Sequence, residues 1–137
     1  MIDAESLAPL ALFADLEPPQ LHELAMTLDE ERYPRDARIL RQGMSGNAFH
    51  VILSGEASVR IDGSERARLV PGEFFGEVSI LLGEPPTADV VAATEELRCA
   101  VLAGADFRAL LLRHPSVLYR VLQTEARRLR NANRWQG

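Results

Sequence analysis

The chain has 137 residues, 47% of them hydrophobic and 26% charged, which is enough for one soluble domain with a core. All 15 basic residues are arginine, which excludes a lysine nucleophile or a phosphate-loop lysine, and the single cysteine excludes an internal disulfide. The net charge of −5 disfavours nucleic acid as a partner of most of the chain.

We expect one domain over residues 1–137, located in the cytoplasm. No apolar run approaches the roughly 18 residues of a membrane span, and the first five residues are acidic where a signal peptide would be basic. Residues 1–30 are predicted to be helical. Apolar residues recur there at helical spacing on both sides of a break at Pro18-Pro19, as Leu7, Leu10, Leu12, Phe13 and Leu16, then Leu21, Leu24, Ala25 and Leu28.

Residues 31–103 change to an alternating pattern that predicts short antiparallel strands closed into a roll. The alternation is clearest at 49–53, 57–61 and 66–69, and glycines punctuate the strands at short intervals. Cys99 alternates with Leu97 and Val101 on one face of a strand, so we expect a buried core thiol rather than a reactive one.

The segment 73–90 interrupts the strands and is the candidate binding segment. Gly76 allows the backbone to approach a ligand closely, and the free amides at the start of the helical turn that follows suit an anion. Glu77 could accept a hydrogen bond from a sugar hydroxyl. Thr87 and the amide of Ala88 could donate to a phosphate.

Two helices are predicted at the end of the chain, within 104–134, at 106–112 and 116–133. An apolar stripe on the second helix could pack on the roll or pair with a second copy, and Glu125 interrupts it. Residues 120–137 hold five arginines against one glutamate, which fits a solvated helix face or a surface that attracts nucleic acid. The stripe comprises Leu118, Val121, Leu122, Leu129 and Ala132.

The cassette 73–90 and the run 39–55 resemble the cyclic nucleotide-binding domain family. In the cassette, Phe75-Gly76-Glu77, Gly83, Pro85, Thr87 and Ala88 are in register with the family's pattern. The run 39–55 is similar to the family's glycine-rich hairpin, with Met44 in place of an acid and His50 in place of the usual aromatic residue. The resemblance implies a mainly β fold with flanking helices: an antiparallel β-roll of the double-stranded β-helix or jelly-roll type, an N-terminal helical segment and a C-terminal helix pair.

The resemblance also implies a set of ligand-binding residues. Glu77 would take the ribose 2′-hydroxyl, Gly76 and Val78 would offer backbone groups, and Thr87 with the Ala88 amide would face the phosphate. Taken singly, each residue also has a purely structural explanation, as a turn glycine, a helix-start carboxylate or a strand-starting residue. The predicted set is Phe75, Gly76, Glu77, Val78, Pro86, Thr87 and Ala88.

Pro86 stands where the family's cyclic-nucleotide binders have the arginine that pairs with the phosphate. Losing a charge-assisted contact of this kind costs about 1.5–3 kcal/mol. Asp89 is expected to point to the same side as Thr87 and to repel a phosphate. An arginine from a neighbouring strand, Arg60, Arg66 or Arg68, would have to reach in to restore the charge.

The sequence therefore predicts a regulatory ligand-sensing module, with cyclic AMP or cyclic GMP as the candidate ligand and no other cofactor. The alternatives are a nucleotide-independent protein-interaction or scaffolding domain, for which the C-terminal helix and Trp135 would dock a partner or a second copy, and a sensor of a different ligand. We expect no catalysis and no metal site, because His22, His50 and His114 lie on separate elements. We expect no membrane partner, and no DNA binding by this chain alone.

Overall fold

The computed structural model describes residues 2–44 and 47–136, with side chains described as far as Ala132. The strands are β1 Asp29–Pro34, β2 Arg38–Leu40, β3 Ala48–Ser54, β4 Ala57–Ile61, β5 Ser64–Leu69, β6 Phe74–Phe75, β7 Asp89–Ala92 and β8 Glu96–Ala103. The helices are α1 Ala4–Leu7, α2 Pro18–Ala25, α3 Glu77–Leu82, α4 Gly104–Arg113 and α5 Pro115–Gln136, with a 3-10 turn at Ala11–Phe13.

The strands form two four-stranded antiparallel sheets, ordered β1-β8-β3-β6 and β2-β7-β4-β5. This mainly antiparallel roll with flanking helices confirms the predicted fold class. Alternation along β3 separates two hydrophobic clusters. Phe49 and Val51 belong to the cluster that includes the helices, whereas Ile52 belongs to a second cluster with residues of β4, β6, β7 and β8.

The N-terminal region is helical, but in three short pieces. Pro18 and Pro19 stand in the first turn of α2, where a missing amide hydrogen costs no hydrogen bond. In a capping box, the Glu17 side chain accepts a hydrogen bond from the Gln20 amide, and the Gln20 side chain accepts one from the Glu17 amide. The break predicted at the two prolines is therefore also the start of the next helix.

The cysteine lies in the core, as predicted. Cys99 has no exposed surface and packs in the cluster between the sheets. Burial raises the pKa of its thiol to about 12, so the reactive thiolate is not populated near neutral pH.

The long C-terminal helix α5 packs on the rest of the molecule by one face only. Val117 and Val121 are buried in the helical cluster, and Arg120 Nε lies 2.7 Å from Asp15 Oδ2 near the N-terminal helices. The predicted stripe does not pack as one surface. Val121 is buried, but Leu118, Leu122 and Leu129 are 43%, 60% and 64% exposed. No helix in the described part of the chain is long and apolar enough to cross a membrane.

Candidate ligand site

The cassette begins with a glycine whose conformation and surroundings exclude a side chain. Gly76 follows β6 with φ of +92°, and a Cβ atom built there would lie 2.3 Å from the carbonyl oxygen of Ala48. The left-handed conformation turns the chain from β6 into α3, which starts at Glu77. The glycine therefore fixes the position of the first helical residue against β3.

The cassette then crosses from one sheet to the other. The amides of Gly83 and Glu84 both donate to the Ser79 carbonyl, at 2.9 and 3.2 Å, which closes the end of α3. The chain continues to β7 in the second sheet, and on the way the Pro86 carbonyl accepts a hydrogen bond from the Gly43 amide at 2.8 Å. The two predicted halves of the site are thus held on different sheets.

The predicted site residues differ in accessibility. Phe75 and Glu77 are buried, and Val78 is 41% exposed. Pro86 is buried, Ala88 is half-buried and Thr87 is exposed. These positions locate the residues, and their role in binding stays a prediction.

Glu77 forms an ion pair with the C-terminal helix. Its side chain is almost fully buried, with 2% of the residue exposed. Arg128 Nη1 lies 3.1 Å from Oε1 and 3.4 Å from Oε2 of Glu77. The carboxylate expected to bind ribose is therefore engaged by an arginine of α5.

Arg128 also makes two contacts with β6. Its Nη2 donates to the Phe74 carbonyl at 2.6 Å, and its guanidinium carbon lies 4.7 Å from the centre of the Phe74 ring. These contacts hold the guanidinium at the entrance to the cassette.

Sequence reasoning missed this arginine, although a pattern pointed to it. The buried face of α5 begins with Val117 and Val121 and continues at helical spacing to Glu125 and Arg128. Charged residues that continue an apolar face indicate a charged partner beneath them.

The ionisation of Glu77 is shifted towards neutral pH. Burial raises the pKa of Glu77 to about 7, against the lowering effect of Arg128, and the charge of Glu125 and a hydrogen bond with its side chain raise it further. Desolvation and the second carboxylate together outweigh the single arginine. Near neutral pH this buried group exchanges a proton with solvent.

The arginines of β4 and β5 are engaged elsewhere. Arg60 Nε donates to Ser58 Oγ at 3.0 Å, and Arg68 pairs with Glu65 at 3.1 Å and Glu56 at 3.5 Å. Arg66 is exposed on β5. The arginine that pairs with Glu77 comes from α5, not from a neighbouring strand.

The Asp89 carboxylate has partners of its own, and its predicted effect on a phosphate stays a prediction. Its Oδ1 accepts a hydrogen bond from the Gln42 amide at 2.7 Å, and its Oδ2 lies 4.0 Å from Arg38 Nε. This carboxylate anchors the end of β2, because its strand pairs with β2 in the second sheet. Its charge is directed to β2 and partly balanced there.

Aromatic rings fill the space behind the cassette. Phe75 stacks on the His50 ring with centroids 4.7 Å apart, and the Tyr33 hydroxyl lies 3.3 Å from His50 Nε2. Burial lowers the pKa of His50 to about 4, so this histidine is neutral at physiological pH. His50 therefore supports Phe75 in the place of the family's aromatic residue.

A cavity lies outside the roll, against the helices. It is a groove of about 940 Å³ between α5, the N-terminal segment and residues 71–74. Its lining includes Leu10, Leu53, Phe74, Arg98, Arg127 and Arg128, but not Gly76, Glu77 or Thr87. In this conformation α5 covers the carboxylate that the sequence assigns to the ligand.

The molecule is a β-roll flanked by helices. A cassette that begins at a glycine joins its two sheets, and a buried carboxylate starts the cassette helix. These features define a regulatory domain of the ligand-sensing class. The family model of the cyclic nucleotide-binding domain matches residues 30–114. The chain belongs to that family, which confirms the resemblance inferred from the cassette and the hairpin.

Relatives support the same assignment. The chain is 36% identical over 128 residues to the cyclic AMP receptor protein of Thermus thermophilus, covering 89% of this chain and 58% of that protein. The crystal structure of the catabolite activator protein of Thermus thermophilus matches with a TM-score of 0.76 at 35% identity, over 89% of this chain and 59% of that one.

A third match shows the fold alone, because its identity is 24%. It is the regulatory subunit of a cAMP-independent protein kinase A from Trypanosoma cruzi bound to guanosine, with a TM-score of 0.70 over 80% of this chain and 39% of that one. The chain spans 33%, 15% and 58% of the lengths of three curated relatives that it matches.

Proposed function

We propose that this chain is a non-catalytic sensing domain that binds a cyclic nucleotide, cyclic AMP or cyclic GMP, and reports binding through α5. The ligand would contact the predicted residues at 75–78 and 86–88. The observation that carries the proposal is the ion pair between Glu77 and Arg128, since it joins the expected ribose acceptor directly to the C-terminal helix.

The proposed mechanism is an exchange of partners at Glu77. A ribose hydroxyl that donates to Glu77 competes with Arg128 for the same carboxylate oxygens. Ligand binding would therefore loosen or reposition the C-terminal half of α5, while Val117 and Val121 keep its first turns in the core. Two arrangements of α5, with different affinity for ligand, are sufficient for regulation.

The phosphate end sets the affinity, and Pro86→Arg tests it. We expect Pro86→Arg to tighten cyclic AMP or cyclic GMP binding by about 10- to 150-fold, because it adds a charge-assisted contact of about 1.5–3 kcal/mol. Isothermal titration calorimetry of the wild type, Pro86→Arg and Glu77→Ala measures this, and Glu77→Ala should abolish the heat. The absence of heat with either cyclic nucleotide at millimolar concentration, in both the wild type and Pro86→Arg, would remove the proposal.

A second candidate is a sensor of a nucleoside without a phosphate. Pro86 is buried and donates no hydrogen bond, which suits a ligand with no charge at that end. Binding of guanosine or adenosine that is stronger than binding of cyclic nucleotides, and that Pro86→Arg does not improve, would favour it.

The exposed face of α5 supports a role in contact with a protein or a second copy. Leu118, Leu122 and Leu129 are exposed on this helix, and large apolar side chains on a surface mark interaction sites when they are contiguous. The side chain of Trp135, the other predicted docking residue, lies outside the described residues. If no nucleotide or nucleoside binds, a scaffolding role for this face becomes the leading explanation.

A further inference from the structure

We infer that Glu77, Glu125 and Arg128 form a proton-linked latch between the cassette and α5, in which Glu125 sets the pH at which the latch opens. The link to nucleotide rests on the proposed function, but the latch itself does not. Glu125 is not among the ligand-binding residues predicted from the sequence, and the cassette needs no second carboxylate to bind ribose.

The contacts place two carboxylates on one guanidinium. Arg128 Nη1 lies 3.1 Å from Glu77 Oε1 and 3.6 Å from Glu125 Oε1. Glu125 Oε1 is a buried atom with no hydrogen-bond partner among the described residues, although 30% of the Glu125 side chain is exposed. One guanidinium therefore faces one buried carboxylate and one partly buried carboxylate, which it cannot fully compensate.

A proton resolves this imbalance. Both carboxylates lie against the same guanidinium nitrogen, and two carboxyl groups placed in this way repel each other less when one of them is protonated. Burial and Glu125 raise the pKa of Glu77 to about 7, which places loss of the proton near neutral pH. When the proton leaves to solvent, the cluster has a net charge of −1 and the two carboxylates repel each other.

Groups on α4, β3 and β6 also lie around α3. From α4, Arg108 Nη2 donates a hydrogen bond to the Ile80 carbonyl at 3.4 Å. From β3, His50 is neutral because burial lowers its pKa to about 4. From β6, Phe74 contributes a carbonyl and a ring, which are uncharged. The pH response of the contact is therefore assigned to Glu77, which lies beside Glu125 on the same guanidinium.

The latch opposes ligand at low pH and admits it at higher pH. Below neutral pH a proton on Glu77 removes its repulsion with Glu125, so Arg128 keeps α5 on the cassette, and the protonated Glu77 is a poor acceptor for a ribose hydroxyl. Above neutral pH repulsion with Glu125 weakens the contact, and the ionised Glu77 becomes available. Ligand binding would release a proton at pH 6 and none at pH 8.5.

The test measures the latch without nucleotide. Carboxyl carbon NMR follows the titration of Glu77, identified by its loss in Glu77→Gln, and amide hydrogen exchange follows α5 over residues 122–132. In the wild type we expect a Glu77 midpoint near pH 7 and about a tenfold fall in α5 protection between pH 6 and pH 8.5, after correction for intrinsic exchange.

Glu125→Gln should lower the Glu77 midpoint by about one pH unit or more and make α5 protection independent of pH over this range. Asp15→Asn is the matched control. It removes a different carboxylate that pairs with α5, through Arg120, and should leave the pH response unchanged. Protection of α5 that does not vary with pH in the wild type, or an unchanged Glu77 midpoint in Glu125→Gln, would overturn the latch. Neither result bears on whether nucleotide binds, which the calorimetry decides separately.

Discussion

A Gly76→Ala variant is expected to lose roughly 3 kcal/mol of stability or more, the sum of two separate costs. A residue with a side chain at positive φ loses about 1–2 kcal/mol, and φ here is +92°. The added methyl would also lie 2.3 Å from the Ala48 carbonyl oxygen, which is backbone of a central strand and can move only with β3. Urea unfolding at equilibrium measures the loss.

Gly72→Ala is the matched control for backbone strain. Its φ of +91° is almost the same, but a Cβ there has no atom within 4 Å. We expect this variant to lose only about 1–2 kcal/mol. Equal losses in the two variants would show that contact with Ala48 does not fix the position of Glu77.

The fold could be predicted from the sequence because its determinants are local. The period of the apolar residues changes near residue 30 and again near residue 104, and glycines mark the turns between strands. Phe75-Gly76-Glu77 identifies the cassette for the same reason, since its conformation depends on a glycine at positive φ. The partners of Asp89 show the limit of this reasoning. Alternation along an isolated strand does not reveal that the carboxylate accepts a hydrogen bond from the Gln42 amide, just after β2.

The electrostatics of the site could not be predicted from the cassette alone. Arg128 lies 51 residues beyond Glu77, and their contact depends on where α5 crosses the roll. The position of α5 is fixed by Val117 and Val121, which pack in the core, and by the ion pair between Arg120 and Asp15. No short sequence motif marks these contacts. The helix that covers the cassette therefore brings an arginine to Glu77, which is the expected ribose acceptor and not the phosphate end.

Replacing Arg128 with methionine should destabilise the protein by about 3 kcal/mol above neutral pH, and by much less near pH 5. Methionine keeps an apolar chain against the Phe74 ring but removes the charge that balances Glu77 and Glu125. Breaking a buried ion pair from one side leaves an uncompensated charge, which typically costs 3–5 kcal/mol, and partial exposure of Arg128 places this case at the lower end.

The pH dependence follows from the direction of the Glu77 shift. Its folded-state pKa of about 7 is above the ordinary 4.5, so its protonated form stabilises the fold below pH 4.5. That stabilisation is lost as the pH rises to about 7. A pKa shift is worth about 1.36 kcal/mol per unit, so the free energy of unfolding of the wild type falls by about 3 kcal/mol over this range. Without Arg128 the pKa of Glu77 rises further, so the loss of stability continues to higher pH.

Arg127→Met is the control for this variant, because Arg127 is the adjacent arginine on the same helix and its Nη2 donates to Thr124 Oγ1 of that helix. It should change stability by less than about 0.5 kcal/mol at every pH. The double variant Glu77→Gln with Arg128→Met should recover most of the loss and flatten the profile, because the buried charge that needs a partner is gone. A loss in Arg128→Met that is the same at pH 5 and pH 8 would show that Arg128 stabilises α5 by packing on Phe74. A loss that grows with pH and is cancelled by Glu77→Gln would show that Arg128 stabilises the protein by balancing the charge on Glu77.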